Sequence, residues 1–382
     1  MITGAAVAGI GVAALGWHAV RRGVFASGEA PAYEAWHRWP PTRSDGPFGL
    51  VRAAVLAASP HNTQPWLFRV SETQVDLFAD LTRNIGTIDP FLREMQVGLG
   101  CALENLILAA HAVGYRTALT LLPAGSGTNH VARLQLERGE AQPSPLFASI
   151  TRRHTNRGPY DTARPIPADA VQAMDALGRD LPDVSVLWFT SESDRRAIAE
   201  LIVAATEAII ADREQAADSA KWLRMSWEKL QRHRDGVTLD AAGLPSLVLA
   251  AAKMLPEPSR EQSDVAWLKA TRETHTATAM GYGILVARDA RDTNQRVQGG
   301  RLWQRLHLWA TANGLAMQPL NQMPERADRE ASQSAEPVFG MALNKLVSDP
   351  AWQALMPFRL GYPLRDALPS PRRALEDVLL RG

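Results

Sequence analysis

The run Ser59-Pro60-His61-Asn62-Thr63-Gln64-Pro65-Trp66 crowds hydroxyl, amide and imidazole groups into one turn. A helix-like run, Leu50 to Ala58, precedes it, and Pro65-Trp66 fixes the backbone before the strand-like Leu67 to Val70. Such a turn holds out several donors to a flat, acceptor-rich ring. It equally suits an ordinary helix-to-strand connection in which Asn and Thr bond their own backbone.

A second cluster has a different chemistry. Arg152-Arg153-His154-Thr155-Asn156-Arg157 places a hydroxyl between two guanidinium forks, Arg153-x-Thr155-x-Arg157. A phosphate needs fixed cations and short hydroxyl donors, and this spacing offers both. A solvated basic connector is the alternative reading. Arg372-Arg373, near the end of the chain, is a further basic pair that suits either a phosphate or solvent. Metal chemistry is not expected: the nine histidines lack ligand spacing, and the one cysteine, Cys101, lies in an apolar helical run and excludes an intrachain disulfide.

The elements that must position these groups come from a chain of 382 residues, long enough for two domains. A hydrophobic share of 46% and a charged share of 21% describe a globular protein, and a net charge of +1 excludes nucleic-acid binding as a main role. Met1 to Val20 carries no charged side chain and closes on Arg21-Arg22, the length of a membrane span. Residues 1–26 are therefore expected to be a membrane anchor or leader. Basic residues after the run favour a cytoplasmic body. A twin-arginine leader encoded upstream would instead send it to the periplasm or outside.

Beyond a Pro- and Trp-rich link, residues 27–47, two segments repeat at an offset of 200 residues. Val97/Val297, Gly100/Gly300, Leu106/Leu306, Leu108/Leu308, Ala110/Ala310, Ala112/Ala312 and Gly114/Gly314 coincide without a gap. Each copy reads as a long helix stopped by glycine and followed by a strand. Further strands are expected over Gln74–Phe78, Ala132–Glu137, Val184–Phe189, Ala279–Ala287 and Pro357–Leu360. Helices are expected over Ala168–Leu177, Asp194–Ala211 and Pro337–Val347. This is an α+β pattern; no G-x-G-x-x-G follows a strand, so a Rossmann site is not indicated.

Together these features resemble the FMN-dependent nitroreductase superfamily. Ser59 to Trp66 is similar to its S-x-x-N-x-Q-P-W turn, and Arg153 to Arg157 to its R-x-S-x-[RK] segment with Thr155 in place of serine. Gly361-Tyr362-Pro363 and the basic Arg372-Arg373 are similar to the segments that close the fold. The twin arrangement, with Thr87 to Glu94 and Arg234-Asp235-Gly236, resembles the Acg-like twin-domain group.

The resemblance implies a duplicated nitroreductase-like fold, two pseudo-subunits in one chain mimicking a homodimer, and hence a monomer. The first copy spans residues 48–150. The second spans 151–382, with a lid-like insert over 211–261. One FMN site is implied, its ring side formed by Ser59, His61, Asn62, Thr63 and Gln64. Its phosphate side is formed by Arg153, Thr155, Arg157, Arg372 and Arg373, and Pro319 and Leu320 lie near flavin N5. The mirror-related site lacks both the turn and the grip. The implied activity is hydride transfer from NAD(P)H through the flavin to a small electron-poor acceptor such as a nitroaromatic or quinone, with no catalytic side chain required. FMN storage without turnover is the alternative. Asp89, Arg93 and Glu94 are expected either in an ion-pair network or beside the flavin.

Overall fold

Alternation of apolar and polar residues builds two antiparallel sheets of four strands each. In the computed structural model, which describes residues 16–381, the first half runs α1 (Gly46–Ala54), β1 (Trp66–Val70), β2 (Gln74–Ala79), α2 (Arg93–Ala112), β3 (Tyr115–Leu121) and β4 (His130–Arg138). The second half opens with α3 (Ala168–Asp175), β5 (Val184–Phe189) and α4 (Glu192–Ala211). The expected insert follows as α5 (Arg213–Ala220), α6 (Trp227–His233) and α7 (Ser246–Met254). Then come α8 (Arg260–Ala270), β6 (Gly281–Ala287), α9 (Thr293–Ala312), β7 (Ala316–Pro319), α10 (Gln322–Ser332), α11 (Val338–Val347) and β8 (Gln353–Gly361).

The two sheets have one strand order. In the first it is β1-β2-β4-β3 and in the second β5-β6-β8-β7, each with its long helix between the second and third strand in sequence. Both long helices have 20 residues and begin 200 positions apart. Each ends beside a glycine in the left-handed region, Gly114 at φ 87° and Gly314 at φ 73°, a conformation that other residues adopt with strain.

α2 and α9 cross where the repeat places Gly100 and Gly300. A Cβ added to Gly100 would stand 2.1 Å from the Val297 carbonyl oxygen, and one added to Gly300 would stand 2.0 Å from that of Val97. Only the absence of side chains lets the backbones approach this closely. The contact is reciprocal, and the core grows outward from it: one buried cluster takes Trp66, Phe68, Leu103 and Leu106 from the first half with Trp303, Leu306 and Phe358 from the second.

The chain's last segment crosses back to the first sheet. Phe68 N donates to Val378 O at 2.7 Å and Leu380 N donates to Phe68 O at 2.8 Å, so residues 378–380 line the free edge of β1. This satisfies an edge that would otherwise expose backbone donors and acceptors.

Most of the anchor or leader expected over residues 1–26 lies outside the described residues. Among the described residues no helix is long and apolar enough to cross a membrane.

Candidate functional site

The turn from Ser59 is closed by its own side chain: Ser59 Oγ accepts from Gln64 N at 3.0 Å. His61, Asn62 and Gln64 all have positive φ, at 45°, 54° and 53°. Left-handed backbone at His61 and Gln64 carries strain on the order of 1–3 kcal/mol each, so the surroundings must hold it in place. They do so with segments remote in sequence.

The crossing tail supplies half of the hold. Arg372 Nη1 donates to Asn62 Oδ1 at 2.8 Å, and Asn62 Nδ2 donates to Pro371 O at 3.0 Å. Gln64 Oε1 accepts from Arg373 N at 2.8 Å, and Arg373 Nη1 donates to Gln64 O at 3.1 Å. The insert supplies the other half: Gln64 Nε2 donates to Arg234 O at 2.9 Å, Gly236 N donates to Asn62 O at 3.2 Å, and His61 Nε2 lies 3.1 Å from Ser219 Oγ. Asp235 is itself fixed by ion pairs to Arg83 and Arg224. The amides of Asn62 and Gln64, expected to face a ring, are thus committed to locking the turn. Thr63 Oγ1 and Trp66 Nε1, both buried and without a hydrogen-bond partner among the described residues, are the side-chain donors of this turn left unpaired.

Behind the turn lie the arginines. Arg153 Nη2 donates to Leu56 O at 3.1 Å, and Arg372 Nη2 donates to Ala57 O at 3.2 Å and Leu56 O at 3.4 Å, so the two guanidiniums share one carbonyl. Both side chains are buried, and the Nε of each has no partner. Arg157 Nη1 donates to Ala241 O of the insert at 3.2 Å. Among the described residues none of the three forms an ion pair with a carboxylate. Burial pulls Arg153 and Arg157 down to about 10 and Arg372 well below the usual guanidinium range, with Arg153 repelling Arg372.

The cations have apolar and aromatic backing that the sequence did not single out. Arg372 lies over the Trp36 ring at 4.6 Å, and Trp36 meets His154 edge-on at 4.6 Å. Trp36 Nε1 donates to Ser370 O at 2.8 Å, which ties the stretch expected as a link to the crossing tail. His154 is pushed down to about 3 by burial and by Arg153 and Arg372, and His61 to about 4 by burial and by Arg157. Both imidazoles are therefore neutral, and the positive charge resides on the arginines.

Arg359 is a further buried guanidinium without an ion pair among the described residues, but its surroundings satisfy it. It donates to Gly158 O at 2.7 Å, Gln318 Oε1 at 2.7 Å, His275 O at 3.1 Å and Asn156 O at 3.3 Å, and it lies over the Tyr160 ring at 4.0 Å. Its work is to pin the 156–158 segment that carries Arg157. Thr155 lies half-buried between Arg153 and Arg157 in sequence.

Not every expected residue joins this group. Among the described residues no hydrogen bond links Pro319 or Leu320 to the turn or the arginines. Leu320 packs with Ile198, Ile202, Tyr282 and Met323, and its N donates to Pro357 O at 2.8 Å. Asp89, Arg93 and Glu94 form a buried ion cluster with α10: Arg93 Nε donates to Asp328 at 2.8 Å, and burial raises Glu325 to about 7. Trp36, His154 and Ala241 were missed because aromatic stacking and a backbone carbonyl leave no spacing signature.

The mirror position is occupied differently. Asn105 of α2 donates to Ala53 O at the end of α1, at 2.8 Å. Arg305 of α9, 200 residues later, donates to Leu177 O just beyond α3, at 3.0 Å. The counterpart in position of the Ser59 turn is therefore the stretch 178–183. Here Arg305 pairs with Glu104 at 2.7 Å and Asp180 at 2.6 Å, and Arg301, standing where the first half has Cys101, pairs with Glu104 at 2.8 Å. Every cation named at this junction has a carboxylate.

No family model matches the sequence. A stretch of 129 residues is 30% identical to each of two Mycobacterium tuberculosis proteins, from strains H37Rv and CDC 1551, that are provisionally named NAD(P)H nitroreductases. The match takes in 33% of this chain and only 37% of the length of those curated relatives. Among solved structures, the FMN and NADPH-dependent nitroreductase NfnB from Sphigopyxis sp. strain HMH is 15% identical with a TM-score of 0.41, over 62% of this chain and 98% of that one. A nitroreductase with bound FMN from Desulfitobacterium hafniense DCB-2 is 13% identical with a TM-score of 0.37, over 63% and 100%.

Proposed function

We propose that this chain is an FMN-dependent, NAD(P)H-linked oxidoreductase of the nitroreductase superfamily, of the Acg-like twin-domain kind, with one flavin site between its two halves. The observation that carries the reading is the set of three arginines, Arg153 and Arg372 buried and Arg157 half-buried, without carboxylate partners among the described residues and beside a strained turn of polar groups. Buried cations with no counter-charge are unstable unless an anion joins them.

The residues fit FMN. Its phosphate would bring the missing negative charge and accept from the Nε groups of Arg153 and Arg372, which have no other partner. Thr63 Oγ1 would serve as a donor on the ring side, and Arg157, fixed through the segment that Arg359 holds, would add charge complementarity to a reduced and more negative ring. Flavin bound there would supply hydride transfer at N5 between NAD(P)H and an electron-poor acceptor such as a nitroaromatic or quinone. Asn62 and Gln64 hold the turn, tail and insert together and so keep water from the arginines. His61 and His154 stay neutral and neither give nor take a proton near pH 7. The shared strand order of the two sheets and the reciprocal glycine crossing support the reading of two fused copies of one subunit.

A second reading, storage of FMN without turnover, is favoured by one observation: the insert bonds directly to the turn through Ser219, Arg234 and Gly236, and so lies over the ring side. An anaerobic titration separates the two. Purified full-length protein with a flavin spectrum that bleaches rapidly on adding NADPH or NADH supports the enzyme; bleaching only with dithionite supports storage. Colourless protein that refuses added FMN sinks both.

A further inference from the structure

The helix α7 inverts the usual arrangement of a soluble surface. From Gly243 to Pro256 the sequence holds one ionisable residue, Lys253, and its ammonium is turned inward. It pairs with Asp240 at 2.6 Å and donates to Ser27 Oγ at 2.6 Å and Gly23 O at 3.0 Å. The outer face carries Leu247, Val248 and Leu255, exposed by 87%, 50% and 63%. An amphipathic helix on a water-facing surface buries its apolar residues and exposes its charges; this one does the reverse.

The same lysine clamps the amino-terminal segment against α7, and Ser27 Oγ adds a bond to Asp240 at 2.9 Å. That segment exposes Trp17, Val20 and Phe25 by 62%, 63% and 77%, and Arg21 lies over the Trp17 ring at 4.7 Å. An aromatic residue paired with a basic one is the combination that sits at a lipid headgroup boundary. In sequence, residues 1–15 lead into this segment without a single charged side chain. The segment into which this run leads in sequence therefore lies beside the apolar face of α7.

We propose that the outer face of α7, together with Trp17, Val20 and Phe25, docks on the surface of a lipid bilayer. The occupant is lipid because the exposed face lacks charges to match a protein rim, and because it is continuous with the uncharged run that precedes Gly16. Acidic and basic residues of the insert balance in number, so apolar insertion provides the hold, with Arg21 and Arg22 adding attraction to anionic headgroups. The proposal is independent of the flavin reading, since the arginine cluster has no part in it.

The one native cysteine, Cys101, is buried, so an environment-sensitive fluorophore can be attached at Leu247→Cys alone. The full-length protein so labelled is mixed with vesicles of phosphatidylcholine and phosphatidylglycerol and recovered by flotation. The expected result is flotation with a blue shift of the label and no shift for Val338→Cys, a site of 51% exposure on α11. Leu255→Glu should then reduce the blue-shifted fraction on the order of tenfold at limiting lipid. Failure to float overturns the proposal, and so does flotation with an unchanged label at position 247, which would assign the hold to residues 1–15 alone. A blue shift that follows protein concentration without lipid, with a dimer on size exclusion, overturns it in favour of a second copy. Flavin absorbance of the same samples reads the other proposal separately.

Discussion

The two junctions between the halves differ in how their positive charge is balanced. At the Ser59 turn, the buried Arg153 and Arg372 and the half-buried Arg157 have backbone carbonyls and an amide as their partners. At the mirror turn, Arg301 and Arg305 meet Glu104 and Asp180. Two sheets with the same strand order thus flank one junction whose named cations are all paired and one whose cations have no carboxylate among the described residues. Closing a site on this scaffold takes a few side chains: a carboxylate on α2 and another in the turn fill the place where an outside charge would otherwise go.

The largest expected effect breaks the charge imbalance directly. Arg153→Ala should weaken FMN binding by about 2–5 kcal/mol, the usual loss for truncating a buried charge pair, whereas Arg305→Ala at the mirror junction should leave flavin content unchanged. Ultrafiltration with flavin fluorescence measures both, and equal losses would remove the distinction between the junctions. Next comes the symmetry of the scaffold. Gly100→Ala and Gly300→Ala each put a Cβ about as close to a backbone carbonyl as the other, so each should destabilise by about 3 kcal/mol or more, visible in urea midpoints. Unequal losses would show that the crossing is not the centre of a twofold arrangement.

A smaller effect tests the hold on the turn. Asn62→Ala removes the acceptor of Arg372 and a donor to Pro371 O, and should cost about 1–2 kcal/mol of stability while leaving the mirror junction intact. Hydrogen exchange should rise at residues 59–64 and 371–373 and not at 178–183.

A further test is acid sensitivity, which turns on the two neutral imidazoles beside the arginines. Burial holds His61 at about 4 and His154 at about 3, below the ordinary imidazole value of 6.5, so the unfolded chain binds protons more readily than the folded one. The stability they contribute is whole above pH 6.5 and is lost progressively as pH falls toward 4, on the order of 3 kcal/mol for each imidazole. Thermal melts of the His61→Gln variant should lose less of their midpoint over that window than the parent.

Much of the scaffold was legible in the sequence because it follows local rules. Short apolar runs located the strands. The gapless match of Gly100 with Gly300 and of Gly114 with Gly314 located two helices, since each glycine answers a local need. The arginines were legible as residue types. Their isolation from carboxylates was not, because a missing partner is a property of three-dimensional surroundings. The left-handed backbone at His61 and Gln64 was equally hidden, as neither residue favours it and only tertiary bonds impose it. The roles of Asn62 and Gln64 shifted for the same reason: sequence shows that an amide is present, and the fold decides what it bonds. No second turn of this kind was found in the sequence, and helix and strand order put the corresponding connection at 178–183, which has no such pattern.

The bond between Asn62 and Arg372 joins residues 310 positions apart. A ribosome adding roughly 5–20 residues per second makes the first of these tens of seconds before the second. During that interval the nascent first half has its polar turn but neither the tail that fixes it nor the edge strand that shields β1. A chain whose translation stops before Arg372 would keep most of its core and lack the clasp. Closure of the clasp is therefore the last event in building this junction, and it marks finished molecules apart from prematurely terminated ones.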